Sequence, residues 1–295
     1  MRSKLPASAT LFLNRNSGVR AGAGGLVEAA EAADVEVLEL SPELDCAKEI
    51  RARADRGVRL FIAAGGDGTV HHVVQAVAQT DSILAVIPTG TYNHFARDLG
   101  IPLDWSGALD VALHGATRQI DAARINDRFF LNNVSLGLYP ELVARREEHG
   151  RDYPRWKARL YALYRTLRKY PHVTLSVQAD EQEEVVRTHV FMVSNNSYDL
   201  ERFGIEAARE RMTEGKLSVY WLSHRTRWQL ATIVARYLAG RVREIPGFTS
   251  FRTTEMRVQS TRTTLKVGID GELFTLRTPL TLVSVPRSVS VRVPE

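Results

Sequence analysis

Three short glycine-containing loops, each leaving an apolar run and leading toward a helix-forming one, constrain this chain more than any other feature. The first, Ala63-Ala64-Gly65-Gly66-Asp67-Gly68-Thr69-Val70, follows the strand-like run 59–64 and opens a helix from Val70 to Ala78. Val70, Val73, Val74 and Val77 recur there at the i, i+3, i+4 and i+7 spacing of one helix face. The second, Ile87-Pro88-Thr89-Gly90-Thr91-Tyr92-Asn93-His94-Phe95-Ala96-Arg97, leaves the run 82–87. The third, Asn14-Arg15-Asn16-Ser17-Gly18, leaves the run 9–14. A further strand over 35–40 and helices over Leu26–Ala33 and Glu43–Ala54 complete an alternation of strand and helix. This pattern predicts a parallel α/β sheet with right-handed crossovers and ligand chemistry at the carboxyl ends of its strands.

Consecutive glycines let backbone N–H groups approach phosphate oxygens, and the positive end of the following helix favours the anion. Thr69 can cap that helix, and Asp67 can hold a magnesium ion indirectly or orient a nucleophile. Taken alone, Gly65-Gly66-Asp67-Gly68 is equally a turn joining strand to helix. Three polar, glycine-containing loops at one sheet edge predict a nucleotide-phosphate site.

After a helix over Trp105–Leu113 the pattern changes, with an Asn126-Asp127 turn signal between short strand-like runs. Later strands are predicted at 173–178, 187–194, 216–222, 255–259, 263–269, 272–276 and 280–285, and helices at 155–169 and 227–242. A second, β-rich domain is therefore expected. The 295 residues, 44% hydrophobic and 25% charged, have room for about two modest domains. The formal charge of +5 suits anionic ligands or membrane surfaces without selecting either. A single cysteine, Cys46, excludes an internal disulfide and a Cys-rich metal site, and is what a reducing compartment permits. No apolar run approaches the roughly 18 residues of a membrane span, and the N-terminal run reads as a strand rather than a signal segment. A cytoplasmic protein is expected, at most peripheral at the inner membrane face.

The ordered set Asn14-x-x-Ser17-Gly18, Gly65-Gly66-Asp67-Gly68-Thr69, Pro88-x-Gly90-Thr91-x-Asn93-x-Phe95-Ala96-Arg97, Asn133-x-Ser135-x-Gly137 and Asp270-Gly271-Glu272 resembles the diacylglycerol kinase catalytic superfamily. That superfamily includes bacterial lipid kinases, sphingosine kinases and ceramide kinases. Gly-Gly-Asp-Gly-Thr alone also occurs in NAD kinases and related phosphofructokinases, and the Gly-Thr-x-Asn-x-Phe-Ala-Arg loop resembles the lipid-kinase form. The resemblance implies an ATP-binding α/β domain over 1–122, with 280–295 returning to it, and a β-sandwich lipid domain over 123–279. It further implies that Asn14, Ser17, Gly18, Gly65, Gly66, Asp67, Gly68, Thr69, Val70, His71, Gly90, Thr91 and Asn93 line the ATP and magnesium site. Asp270 and Glu272 would sit at the reacting hydroxyl, with Glu272 as general base. The independent alternative for Asp270-Gly271 is an ordinary hairpin turn.

Several positions depart from the family pattern. His71-His72 replaces the frequent Asn-Glu, and His94 stands where bacterial members often carry the aspartate that organises magnesium. Hard magnesium takes oxygen ligands, so an imidazole there serves it poorly. Glu214-Gly215-Lys216-Leu217 replaces an Asp-Gly-x-Leu associated with a structural magnesium, which is expected near Glu214 and Lys216. Asn133, Ser135, Asn195 and Asn196 are expected at the acceptor pocket, although β-turn and strand-closing roles fit them equally. His71, His72 and His94 do not read as one transition-metal site, because adjacent helical residues cannot face one point.

The run Tyr153 to Tyr170 reads as a basic amphipathic helix, which fits either an anionic bilayer or packing on the β-sandwich. Arg225, Arg227, Trp228, Arg236, Arg241 and Arg243 form a second basic run, and neither carries a nucleic-acid motif. The reading that follows is an ATP- and magnesium-dependent kinase of a diacylglycerol-like lipid, acting at the membrane surface without nucleic acid, with a homodimer left open. Its rivals are a kinase of NAD, a sphingoid or another amphiphile, and a nucleotide-binding regulatory protein that has lost efficient catalysis.

Overall fold

The computed structural model describes residues 9–15, 23–41, 43–78, 80–137, 173–196, 212–223 and 247–295. The predicted alternation is present as β1 (Ala9–Leu13), α1 (Ala23–Ala32), β2 (Val35–Glu39), α2 (Cys46–Ala54), β3 (Leu60–Gly65), α3 (Asp67–Val77) and β4 (Ile83–Pro88). These strands pair in parallel in the order β2-β1-β3-β4. All of β1 is buried, as is β4 after its first residue, because helices cover both faces of such a sheet. The short α4 (His94–Asp98) and α5 (Trp105–His114) follow. The α3 helix starts three residues before the predicted Val70. Its apolar stripe begins only at Val70, whereas the first turn is built from the polar loop itself, with Gly66 as N-cap.

The antiparallel part comprises β5 (Ala116–Ile125), β6 (Arg128–Phe130), β7 (Asn133–Gly137), β8 (Val173–Ala179), β9 (Gln182–Thr188) and β10 (Val190–Asn195). It continues with β11 (Leu217–Leu222), β12 (Phe248–Thr253), β13 (Glu255–Ser260), β14 (Thr264–Ile269), β15 (Glu272–Arg277) and β16 (Leu280–Val293). One six-stranded sheet runs β12-β11-β10-β7-β14-β15. It faces the antiparallel half of the first sheet, where β16 joins β4 to β13, β8 and β9. The space between is filled by alternating side chains such as Val177, Met256 and Val258 from one sheet and Val193, Val219 and Val267 from the other. The fold is thus an N-terminal α/β unit with a mostly parallel sheet, followed by a β-sandwich.

The β16 strand links the two cores. Its first part pairs antiparallel with β13 through Leu280–Val283, and its far end lies parallel to β4 through Ser290 and Val291. A register shift against β5 between Val285 and Val289 absorbs Pro286, where the sequence had suggested that the strand stops. Asp121, almost wholly buried, fixes that bend by accepting N–H bonds from Arg287 at 2.9 Å and Gly215 at 2.7 Å.

Two strands escaped the sequence pattern. The predicted run 187–194 divides into β9 and β10 at His189, where the Thr188 hydroxyl donates to the carbonyls of Val190 and Leu222. The β12 strand, Phe-Thr-Ser-Phe-Arg-Thr at a sheet edge, is mostly exposed and has no apolar alternation to read. The predicted helices at 155–169 and 227–242, with both basic runs, lie outside the described residues.

Candidate active site

The carboxyl ends of β1, β3 and β4 converge, and two of the three loops touch. A Cβ placed on Gly90 would lie 2.5 Å from the Gly66 Cα and 2.9 Å from Asn93 Oδ1, so only glycine allows this approach. Asn93, in the left-handed region at φ 51°, closes its own loop by accepting from Gly90 N at 2.9 Å and donating to Gly90 O at 2.8 Å. Its side chain is a loop clasp. Asn93 also lines the cleft with Gly65, Gly66 and Asp67.

Asp67 ties the loops together. Its carboxylate accepts from His94 N at 3.3 Å and Phe95 N at 3.2 Å, the first amides of α4. Asn14 reaches the same place from β1 and donates from Nδ2 to the Thr69 hydroxyl at 3.1 Å. Gly65 is packed under Thr69, whose side chain would collide with any Cβ there. No side chain caps α3, so its first amides face the small cleft lined by Gly65, Gly66, Asp67 and Pro88. Such an end suits phosphate oxygens. Thr91 is exposed at the rim of the second loop, and His94 stacks on Tyr92 with ring centroids 5.6 Å apart. Ser17 and Gly18 lie outside the described residues.

From the sandwich side, the β14–β15 turn brings Glu272 over the first turn of α3. A Cβ on Gly68 would lie 2.6 Å from Glu272 Oε1. Glu272 is partly exposed, and His72 Nε2 lies 4.0 Å from the same oxygen. A carboxylate beside a helix N-terminus can accept a proton from a hydroxyl in the cleft.

Asp270 is placed differently from the expectation. At φ 48° it turns its carboxylate inward, where Oδ2 accepts from Leu131 N at 2.8 Å and Oδ1 from Asn132 N at 2.8 Å and Asn133 N at 3.1 Å. His71 Nδ1 completes the set at 3.3 Å, with both side chains almost fully buried. Asp270 therefore holds the hairpin, and His71 meets it there. Val70 is likewise buried in the helix packing.

The remaining candidates separate. Asn133 supports Asp270 through its backbone, and Ser135 is buried in β7 between β10 and β14. Asn195 is fully buried, and its amide donates to the carbonyls of Asp121 at 2.9 Å and Leu131 at 3.2 Å. Its amide ties these two segments together. Asn196 accepts from Glu214 N at 3.1 Å and donates from its backbone to Lys216 O at 2.9 Å. The Glu214 carboxylate is paired with Arg252, so the expected magnesium near Glu214 and Lys216 meets a competing guanidinium. Among the described residues no three His, Cys, Asp or Glu side chains cluster as a metal site.

Gln75 was missed by sequence reasoning. It pairs with the backbone of Phe129 in both directions, accepting at 2.9 Å and donating at 2.6 Å, and so joins α3 to β6. Its signal was a polar residue four positions after His71 within a valine-rich helix.

The diacylglycerol kinase catalytic domain family matches residues 8–125, and the YegS C-terminal NAD kinase beta sandwich-like domain family matches 134–293. The chain belongs to the diacylglycerol kinase superfamily. An uncharacterized protein of Synechocystis is 26% identical over 262 residues, covering 85% of this chain and 60% of that protein. The Bacillus subtilis diacylglycerol kinase is 43% identical over 102 residues, 34% of each chain, and that of Staphylococcus epidermidis is 47% identical over 80 residues, covering 26% of this chain and 25% of the enzyme. Each of these matches thus spans less than two thirds of the relative's own length. Two solved Bacillus anthracis structures share the fold over 97% of both chains, with TM-scores of 0.75 and 0.69 at 21% and 19% identity. The second of these is a diacylglycerol kinase by name. Among the described residues no helix is long and apolar enough to cross a membrane.

Proposed function

We propose that this protein transfers the γ-phosphoryl group of ATP to a hydroxyl of a diacylglycerol-like lipid. The observation that carries the reading is the Glu272 carboxylate over Gly68, at the uncapped end of α3 and beside the touching Gly66 and Gly90. The named relatives support the lipid acceptor, since those from Bacillus subtilis and Staphylococcus epidermidis are diacylglycerol kinases. Phosphoryl transfer asks for positioning and charge stabilisation more than covalent chemistry from the protein.

In this reading the amides at the start of α3 receive phosphate oxygens, and Gly66 and Gly90 keep the cleft floor free of side chains. Asp67 retains lone pairs beyond its two backbone bonds, so it can hold a magnesium ion through water or directly, with phosphate oxygens as the other ligands. When bound, that ion would neutralise charge on the transferring phosphate. Glu272 orients the acceptor hydroxyl and takes its proton. Asp270 and His71 fix the hairpin that carries Glu272.

A soluble headgroup on an insoluble lipid requires contact with a membrane surface, which the basic sequence over Tyr153–Tyr170 suits. The test is transfer from radiolabelled ATP with magnesium to diacylglycerol, monoacylglycerol, phosphatidylglycerol, ceramide and sphingosine in detergent micelles, with Glu272→Gln as control. A phosphorylated diacylglycerol that depends on Glu272 supports the reading. ATP binding with no lipid product would overturn it in favour of a regulatory nucleotide-binding protein.

A further inference from the structure

Two consecutive histidines on α3 face two carboxylates of one hairpin turn. His71 Nδ1 lies 3.3 Å from Asp270 Oδ2, and His72 Nε2 lies 4.0 Å from Glu272 Oε1. The environments are opposite. The first pair is sealed, with side chains 1% and 2% exposed, whereas the second is open at 55% and 32%. The helical step between neighbours separates the rings, whose centroids are 6.0 Å apart and whose planes are inclined by 58°.

His72 is also four residues after Gly68, so the two share one helix face. Glu272 lies along that face, with Oε1 against Gly68 at the cleft and His72 on the solvent side. Resting on the kinase reading above, we infer that His72 is the positioning partner that relays to solvent the proton Glu272 takes from the acceptor hydroxyl. The acceptor O–H bond breaks and its proton passes to the Glu272 carboxylate. The acceptor oxygen forms a bond to the γ-phosphorus, and the bond from that phosphorus to the bridging oxygen breaks with its electron pair leaving on ADP. Glu272 then returns to the carboxylate by giving its proton to His72 Nε2, which gives it to water. A separation of 4.0 Å is one that tightens to hydrogen-bond length with a small shift of either side chain.

The relay requires His72 Nε2 to offer a lone pair to the proton. The titratable groups seen to face His72 are Glu272 from β15 and His71 from its own helix. His71 is occupied by Asp270 and Gln75.

The experiment is single-turnover transfer from magnesium-ATP to a short-chain diacylglycerol in micelles for the unsubstituted protein, His72→Gln and Glu272→Gln. His72→Gln should slow the chemical step at least about tenfold and regain rate with added imidazole, while ATP affinity stays unchanged. Equal rates would overturn the relay, as would a slower rate that ignores imidazole. If the unsubstituted protein leaves diacylglycerol unphosphorylated, the acceptor reading fails by itself. The same comparison on ADP release, with water as acceptor, then decides the role of His72.

Discussion

His71 and Asp270, 199 positions apart in the chain, meet at 3.3 Å and join α3 to the turn that carries Glu272. Gln75 makes the parallel link from α3 to Phe129. The proposed nucleotide end and the proposed base thus rest on one bonded unit.

Removing the Asp270 carboxylate should act on stability before chemistry. Asp270→Ala leaves the amides of Leu131, Asn132 and Asn133 without their acceptor, and buried unmet donors cost about 1 to 3 kcal/mol each. A loss of at least roughly 2 kcal/mol in urea unfolding is expected. An unchanged midpoint would show that Asp270 is not a structural support.

Glu272→Gln is expected to keep the folded stability and ATP affinity while reducing lipid phosphorylation by about 10² to 10⁴-fold. Titration calorimetry with ATP and the radiolabel assay separate these quantities. Retained turnover would remove Glu272 as base.

Gly90→Ala places a methyl group 2.5 Å from the Gly66 Cα, a backbone contact that no side-chain rotation relieves. The two loops must separate, and a stability cost of about 1 to 3 kcal/mol together with weakened ATP binding is expected. Gly57→Ala is the control. Unlike Gly90 it has positive φ, and open space surrounds its Cβ, so it should lose stability through backbone strain while ATP binding persists.

Cys46 should be an unreactive thiol. Burial first, then the nearby Asp45 and Glu49 charges, push its pKa up to about 12, so thiolate is scarce at pH 8 and gains ground only as pH approaches that value. Alkylation by iodoacetamide at pH 8 should be slow in the native protein and fast after unfolding in guanidinium. Rapid native labelling would contradict this.

Glu36 is held below the ordinary carboxylate range, chiefly by its hydrogen bond to Arg53, whose Nε and Nη2 both donate to it at 2.7 Å. A carboxylate lowered in the folded state stabilises above its unfolded pKa, and this contribution is lost as pH falls through the folded value. Glu36→Gln should therefore lower the melting temperature at pH 7, with the difference shrinking in acid below about pH 4. A difference that is constant with pH would sink this assignment.

The alternation of apolar runs with glycine loops determined the parallel sheet, because fully buried strands and amphipathic helices write their periods into local sequence. The touching of Gly66 and Gly90 follows from loops on neighbouring strands ending at one edge. What sequence could not decide was which polar residues face the cleft. Asp270 and Glu272 stand two apart in one motif, yet the positive φ of Asp270 turns its carboxylate onto three backbone amides and leaves Glu272 toward Gly68. Asn93 and Asn195 carry the side chain expected of ligand contacts, and the amide of each also donates to backbone carbonyls, of its own loop for Asn93 and of distant segments for Asn195. The partner of a buried polar group is set by chain segments distant in sequence, and a motif records only the residue type. Local pattern therefore fixed the elements and the loops, and long-range hydrogen bonding divided the site between residues that brace it and residues free to act.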